Sequence, residues 1–193
     1  MDTAFTSILS VALGVGLAAA TGFRIFLPLL LAGIAARAGW IPLNEGFVWL
    51  LSTPALMALG TAAVFETLAY YIPGIDHLLD VIAGPAAVVA GVIASASVMT
   101  DVAPGLMWPL AIIAGGGVAG ITKGGSALIR AKTGIATAGL GNPVVSTAEN
   151  AGATVLSVLA IALPLLCLLL VALVLFWSVR RIVRFFAARS RQA

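Results

Sequence analysis

Charged side chains interrupt several long apolar stretches of this sequence. Arg24, Glu66 and Lys123 lie well inside such stretches, and a charge near the centre of a bilayer costs on the order of 3 kcal/mol. Because ionisable residues within a membrane commonly bind ions, protons or polar substrates, these three are the first candidates for a binding site.

Further polar residues lie near the ends of the apolar stretches. Asp76 and Asp80 are four positions apart, so they would share one face of a helix. With Glu66 they could converge on a cation, a proton path or a polar substrate, while the basic residues would neutralise them or hold an anionic headgroup. Asp101 is expected to be a solvated helix end. The predicted substrate- or ion-binding set is Arg24, Glu66, Asp76, Asp80, Lys123, Asn142 and Glu149.

Structural roles compete with binding at each position. Glu149 ends an S-x-x-E pattern that is typical of a helix capping box, and Asp76 could cap a short helix. Arg24 and Lys123 could extend to the membrane surface if their helices are thin. Glu66 lies only a turn before two tyrosines, where a water boundary is expected.

Catalytic residues are not predicted, since no nucleophile and base can be paired from the sequence. The one metal set worth stating is Glu66, Asp76 and Asp80, with His77 beside them. No cofactor is predicted, although coupling to a proton or cation is possible.

The composition places the chain in a lipid bilayer. Of its 193 residues, 62% are hydrophobic and 9% are charged, whereas soluble domains carry roughly 25% charged residues. The net charge of +3 does not indicate nucleic acid, because five of the ten basic residues lie in the last fourteen positions. Such a cluster is typical of a topology signal and of contact with anionic membrane lipids.

The apolar stretches predict an all-α polytopic bundle of six or seven transmembrane segments. One integral membrane domain, 1–193, would include a basic C-terminal tail at 178–193. The first two segments are short enough to form a re-entrant hairpin, and a break is expected near Pro164. The predicted segments are 4–20, 23–38, 53–72, 84–103, 105–131, 147–163 and 165–186.

Basic residues predict the orientation. The terminal arginines place the C-terminus in the cytoplasm, and Arg130 and Lys132 suggest a cytoplasmic loop after them. The lone cysteine, Cys167, allows no internal disulfide.

A weak internal repeat is visible. A small-residue-rich helix ends in Gly22-Phe-Arg24 and precedes the helix that carries Glu66. A second one ends in Gly120-Ile-Thr-Lys123 and precedes the helix that carries Glu149. Repeats of this kind are common in transporter folds, where interrupted helices of the two halves form the site.

Several motifs together resemble a family. They are Gly22-Phe-Arg-Ile-Phe-Leu-Pro28, Glu66 followed by Ile72-Pro-Gly-Ile-Asp76 and Asp80, Gly84-Pro85, and Gly141-Asn-Pro143 with Ser146 and Glu149. This combination is similar to a family of small bacterial membrane proteins, domain of unknown function 4126, over roughly Leu13 to Leu163. The resemblance implies a multi-helix protein of the bacterial inner membrane. It gives no indication of a substrate.

Three functions remain open on the sequence. The leading hypothesis is a small transporter or channel-like protein, a homo-oligomer, with a charged intramembrane site for an ion, a small solute or a lipid headgroup. The second is a membrane-embedded, metal-dependent enzyme acting on a lipid. The third is a non-catalytic scaffold or assembly factor.

Overall fold

The computed structural model of the protein describes residues 3–72, 75–137 and 140–189, and side chains at 3, 75–78, 179 and 181–189 lie outside that description. Every element in the described ranges is helical, which confirms the predicted all-α class. A 3-10 helix, Glu45–Leu51, precedes α3, and a π-helical stretch, Ala111–Gly116, joins α5 to α6. The α-helices are α1 (Thr3–Thr21), α2 (Phe26–Arg37), α3 (Thr53–Ala69), α4 (Ile75–Val98), α5 (Pro104–Leu110), α6 (Gly117–Thr137), α7 (Asn142–Ala162) and α8 (Pro164–Arg189).

Four helical stretches of the described residues are long and apolar enough to cross a membrane. They are Ala4–Thr21, Leu79–Val98, Pro104–Thr137 and Asn142–Ala162. The 3-10 helix and α3 meet at 72° and would form a fifth span if counted together. At 12 residues, α2 is short, since a straight span needs about 20. The protein is therefore a helical membrane protein with short and broken segments, as the sequence predicts.

The helices alternate between two ends of the bundle. At the first end, Asn44 after α2 donates its backbone N–H to the Ser97 carbonyl of α4 (2.8 Å). There too, Ser7 of α1 donates to the Asp101 carbonyl (2.6 Å). The second end is where α1 and α3 end, α4 and α7 begin, and α6 ends. Consecutive segments thus run in opposite directions.

Small residues let the central helices approach closely. α1 packs against α4, α7, α8 and α6, and alanines such as Ala12, Ala18 and Ala94 are fully buried between them. A Cβ atom added at Gly115 of the π-helical stretch would lie 2.8 Å from the Gly91 carbonyl oxygen of α4. Such backbone approach is how membrane helices gain packing energy without a hydrophobic driving force between them.

The structure corrects the prediction for the region before residue 84. A short helix capped by Asp76 and a separate span at 84–103 were expected, but α4 is one helix, Ile75–Val98, with Pro85 inside it. Membrane helices tolerate an internal proline because neighbouring groups satisfy the freed carbonyl. The helix therefore starts nine residues earlier than the apolar pattern indicates, and Asp80 lies within it.

The structure also corrects the start of α7. The weakly hydrophobic interval before 147 is mostly helical, because α6 continues to Thr137 and α7 begins at Asn142. Pro143 occupies the first turn, where its fixed φ suits a helix start. The capping-box reading of Glu149 is wrong, since this residue lies two turns inside the helix. The break near Pro164 is confirmed, because α7 ends at Ala162 and α8 begins at Pro164.

Candidate functional site

A buried cluster of charged residues joins five segments toward the second end of the bundle. We call it the polar network; each segment supplies one or two side chains, and none of the three cations is exposed. Its members are Arg24 after α1, Tyr70 at the end of α3, Asp80 of α4, Lys123 and Arg130 of α6, and Glu149 of α7.

Glu149 is the acceptor for one half of the network. Its side chain is 3% exposed, and its carboxylate forms ion pairs with Arg24 (3.4 Å) and with Arg130. The Ser126 hydroxyl also donates to it. A carboxylate buried in this way is stabilised only because several donors surround it.

Asp80 is the acceptor for the other half. Its carboxylate pairs with the Lys123 ammonium (3.1 Å) and with Nε of Arg130 (3.4 Å). The Tyr70 hydroxyl donates to the same carboxylate (3.3 Å) and accepts from Lys123 (3.1 Å). Arg130 therefore connects the two carboxylates.

The ring of Tyr70 lies among the three cations. The guanidinium carbons of Arg24 and Arg130 are each 4.4 Å from its centroid, and the Lys123 nitrogen is 5.2 Å away. Cation–π attraction, about 2 kcal/mol when desolvated, favours this arrangement.

Arg24 is fixed by the first two turns of α7. Its Nε donates to the Asn150 side chain (2.6 Å), and one terminal nitrogen, Nη2, donates to the carbonyl and hydroxyl of Ser146. Only 1% of Arg24 is exposed. The expectation that Arg24 or Lys123 extends to the membrane surface is therefore wrong, since both are buried in ion pairs.

Three donor nitrogens in the network have no hydrogen-bond acceptor among the described residues. They are the terminal nitrogens Nη1 of Arg24 and of Arg130, and Nε of Arg130, which is ion-paired with Asp80; all three are fully buried. A buried donor left unsatisfied costs about 1–3 kcal/mol, and more when it is charged. The network therefore has donor capacity that its own carboxylates do not use.

Glu66 lies beside the network and binds the start of α2. Its carboxylate accepts the backbone N–H groups of Ile25 (2.9 Å) and Phe26 (3.2 Å). A carboxylate at a helix N-terminus satisfies unpaired amides and complements the helix dipole. Glu66 also lines a groove between α2, α3 and α4. It therefore remains a candidate site residue in addition to capping α2.

That groove has a volume of about 390 Å³ and is almost entirely apolar. Glu66 and Tyr70 are the polar residues in its wall. The apolar wall is formed by Ile25, Phe26, Ala62, Phe65, Ala69, Leu79, Ile82, Ala83 and Ala86.

Three further residues from the sequence analysis, Asn142, Asp76 and Asp101, lie at or near helix ends. Asn142 is buried at the start of α7, on the same helix face as Ser146 and Glu149. Asp76 lies on α4 four residues before Asp80, but its side chain and that of His77 lie outside the described residues. Asp101 is exposed after α4, as expected.

Arg130 and Tyr70 were missed by the sequence reasoning. Arg130 was considered only for the orientation of the loop after it, but it is buried and paired with two carboxylates. The signal was its spacing: Lys123, Ser126 and Arg130 follow one another at i, i+3 and i+7 and share a buried helix face. Tyr70 carries no such signal, since a tyrosine at a helix end is typical of a membrane interface.

Metal binding gains no support from this geometry. In the part of the chain that the structure describes, His, Cys, Asp and Glu form no group of three that a metal ion could use. Glu66 accepts two backbone amides, and Asp80 pairs with two cations. Of the predicted metal set and the histidine beside it, the side chains of Asp76 and His77 lie outside the description.

Comparisons with known proteins give one family. No curated protein and no solved structure matches the chain. A family model described as "Domain of unknown function (DUF4126)" matches residues 11–184, which covers all of the polar network and the groove. The chain belongs to the DUF4126 family.

Proposed function

We propose that the protein is a small membrane transporter or channel-like protein whose intramembrane site is the polar network. The observation that carries the proposal is the burial of three cations and of Glu149, with the half-buried Asp80 beside them, contributed by the segment after α1 and by α4, α6 and α7. Replacing buried ion pairs with apolar residues is often neutral or stabilising. Ionisable residues inside a membrane are typical of ion and substrate pathways.

The distribution of the network over the chain supports this reading. Arg24 from the first predicted repeat pairs with Glu149 from the second, so a site shared by two halves remains part of the proposal. Sites of transporters commonly form where such halves meet. The helices that meet here are also broken or short, as in the 72° bend before α3.

The proposed orientation places the second end of the bundle in the cytoplasm of a bacterium. Exposed Lys132 lies near that end, and α8 runs toward it into the arginine-rich tail. The first end has the exposed residues Arg37, Glu45 and Asp101. The excess of basic residues at the second end favours this orientation by the positive-inside rule. Assembly as a homo-oligomer is likewise a proposal.

Flux through reconstituted vesicles tests the proposed function. Vesicles with the purified protein would be assayed with four probes: protons, potassium, chloride and a fluorescent phosphatidylglycerol whose inner-leaflet copy is protected from dithionite. At least one probe is expected to cross about tenfold faster than in protein-free vesicles. Arg24→Ala should lower that rate about tenfold, the loss expected for a contact worth about 1.4 kcal/mol.

Arg37→Ala is the matched control, because Arg37 is exposed at the first end and far from the network. It should keep the wild-type rate. Wild-type flux in normally inserted Arg24→Ala protein would contradict the assignment of the site to the polar network. Failure of all four probes to exceed the protein-free rate would contradict it as well.

A further inference from the structure

The groove beside Tyr70 and the unused donors of the network together indicate a ligand with two chemically different parts. The groove is apolar and bounded by α2, α3 and α4. The network supplies buried guanidinium N–H groups that have no acceptor in the described part of the chain. Tyr70 belongs to both: it lines the groove, and its ring lies 4.4 Å from both guanidinium carbons.

The apolar part of the ligand follows from how the groove opens. In the described ranges, α3 packs on α2 and on the 3-10 helix and makes few contacts with α4. Phe65 of α3 and Ile82 of α4 line the groove and are 67% and 62% exposed. The groove is therefore accessible from the lipid side of the bundle, and its volume of about 390 Å³ is within the range of ligand pockets.

The polar part follows from the donors. The Nε and Nη2 atoms of Arg24 already donate hydrogen bonds. Its guanidinium plane is therefore fixed, and the remaining N–H groups lie in that plane. Phosphate oxygens accept from such a planar fork with short, charge-assisted bonds. The nearby carboxylates Asp80 and Glu149 are already paired with cations, and Glu66 in the groove wall accepts two backbone amides. The unpaired guanidinium N–H groups therefore favour an acceptor rather than another cation.

We propose that the site binds a membrane phospholipid, with its phosphodiester on Arg24 and Arg130 and one acyl chain in the groove. This inference rests on the proposed function, since it names the ligand class of the same site. A soluble phosphate would use the donors and leave the groove empty. A neutral lipid would use the groove and leave the donors unsatisfied.

Native mass spectrometry of the purified protein tests both halves of the ligand. Dioleoylphosphatidylglycerol is expected to bind at least tenfold more tightly than dioleoylglycerol, which has the same chains and lacks the phosphodiester. It is also expected to bind at least tenfold more tightly than inorganic phosphate. Equal binding of the two lipids, or stronger binding of inorganic phosphate, would overturn the proposal.

Ile82→Trp tests the groove without disturbing the core. The indole would fill the groove, and phosphatidylglycerol binding should fall at least fivefold. Val155→Trp is the matched control, because Val155 is also 62% exposed and lies on α7 outside the groove. Undiminished binding in Ile82→Trp, or an equal fall in both variants, would overturn the proposal.

The outcomes separate this inference from the proposed function. Phosphatidylglycerol binding that meets these criteria, in a protein that passes none of the four flux probes, supports the inference and contradicts transport. Flux that depends on Arg24, in a protein that does not prefer the phospholipid, supports transport and overturns the inference.

Discussion

Replacing Glu149 with glutamine removes the carboxylate that compensates two buried guanidinium groups while keeping the size of the side chain. Arg24 loses its ion pair at 3.4 Å, and Arg130 keeps only Asp80. At an effective dielectric constant of about 20, a pair of charges at that distance is worth about 5 kcal/mol of Coulomb energy. Because part of it offsets desolvation, we expect a net loss of about 3–5 kcal/mol.

That loss converts into a large thermal shift. For chains of about 150–250 residues, 1 kcal/mol lowers Tm by roughly 2–4 °C. Glu149→Gln should therefore melt about 6–20 °C below the wild type. Asp101→Asn is the control, since Asp101 is an exposed carboxylate and an exposed charge contributes only about 0–1 kcal/mol.

The chain contains its own reporter of unfolding. Cys167 is the only cysteine and is fully buried in α8. A maleimide dye that fluoresces on reaction with a thiol would therefore label the protein only when the bundle opens. A temperature ramp in detergent with this dye gives Tm for each variant.

A double variant checks the electrostatic cause. Arg130→Met added to Glu149→Gln removes one guanidinium that would otherwise be undercompensated, so Tm should rise by several degrees above that of Glu149→Gln alone. If Glu149→Gln melts within about 2 °C of Asp101→Asn, the reasoning that Glu149 compensates buried guanidinium charge is refuted. A double variant that is less stable than the single one would refute the electrostatic cause.

Other expectations follow from single features of the fold. Gly115→Ala should lower Tm by several degrees, because a Cβ there meets the backbone of α4. Gly124→Ala, with open space around it, should leave Tm unchanged or raise it. Equal effects of the two substitutions on Tm would contradict the close approach of the helices at Gly115. Glu66→Ala should speed amide hydrogen exchange at the start of α2, where two N–H groups lose their acceptor, and unchanged exchange there would show that the cap is dispensable. Two single cysteines introduced into a Cys167→Ser background, Trp40→Cys and Leu140→Cys, should react with a membrane-impermeant maleimide from opposite sides of the membrane. Leu140→Cys should react from the cytoplasmic side. Labelling of both cysteines from one side would contradict the alternation of the segments.

Elements defined by hydrophobicity could be predicted from the sequence. The segments at 4–20 and 53–72 nearly coincide with α1 and α3, and Pro164 separates α7 from α8. These boundaries follow from local chemistry, because an apolar stretch ends where a proline or a polar turn interrupts it. Where a polar residue belongs to a helix interior, the same rule fails. Asp80 and Glu149 were therefore placed near helix ends.

The partners within the site could not be predicted in the same way. Arg24, Lys123 and Glu149 were identified as candidates because they contradict their apolar surroundings. Which carboxylate meets which cation depends on tertiary packing, which brings residues 24 and 149 together across 125 positions of chain. Arg130 was missed because a basic residue near a helix end has the same local pattern whether it faces water or a buried carboxylate.

The alternation of helices between the two ends of the bundle has a consequence for how copies of this chain combine. In the described ranges, seven helical segments run in alternate directions, so α1 begins at the first end and α8 runs toward the second. A gene fusion of two copies of these segments would need one more segment between them to bring the second α1 back to the first end. Without one, the second copy would be inserted upside down. Any assembly of identically oriented copies is therefore built more simply from separate polypeptides. An antiparallel pair would require the chain to insert into the membrane in both orientations, which the excess of basic residues at the second end opposes.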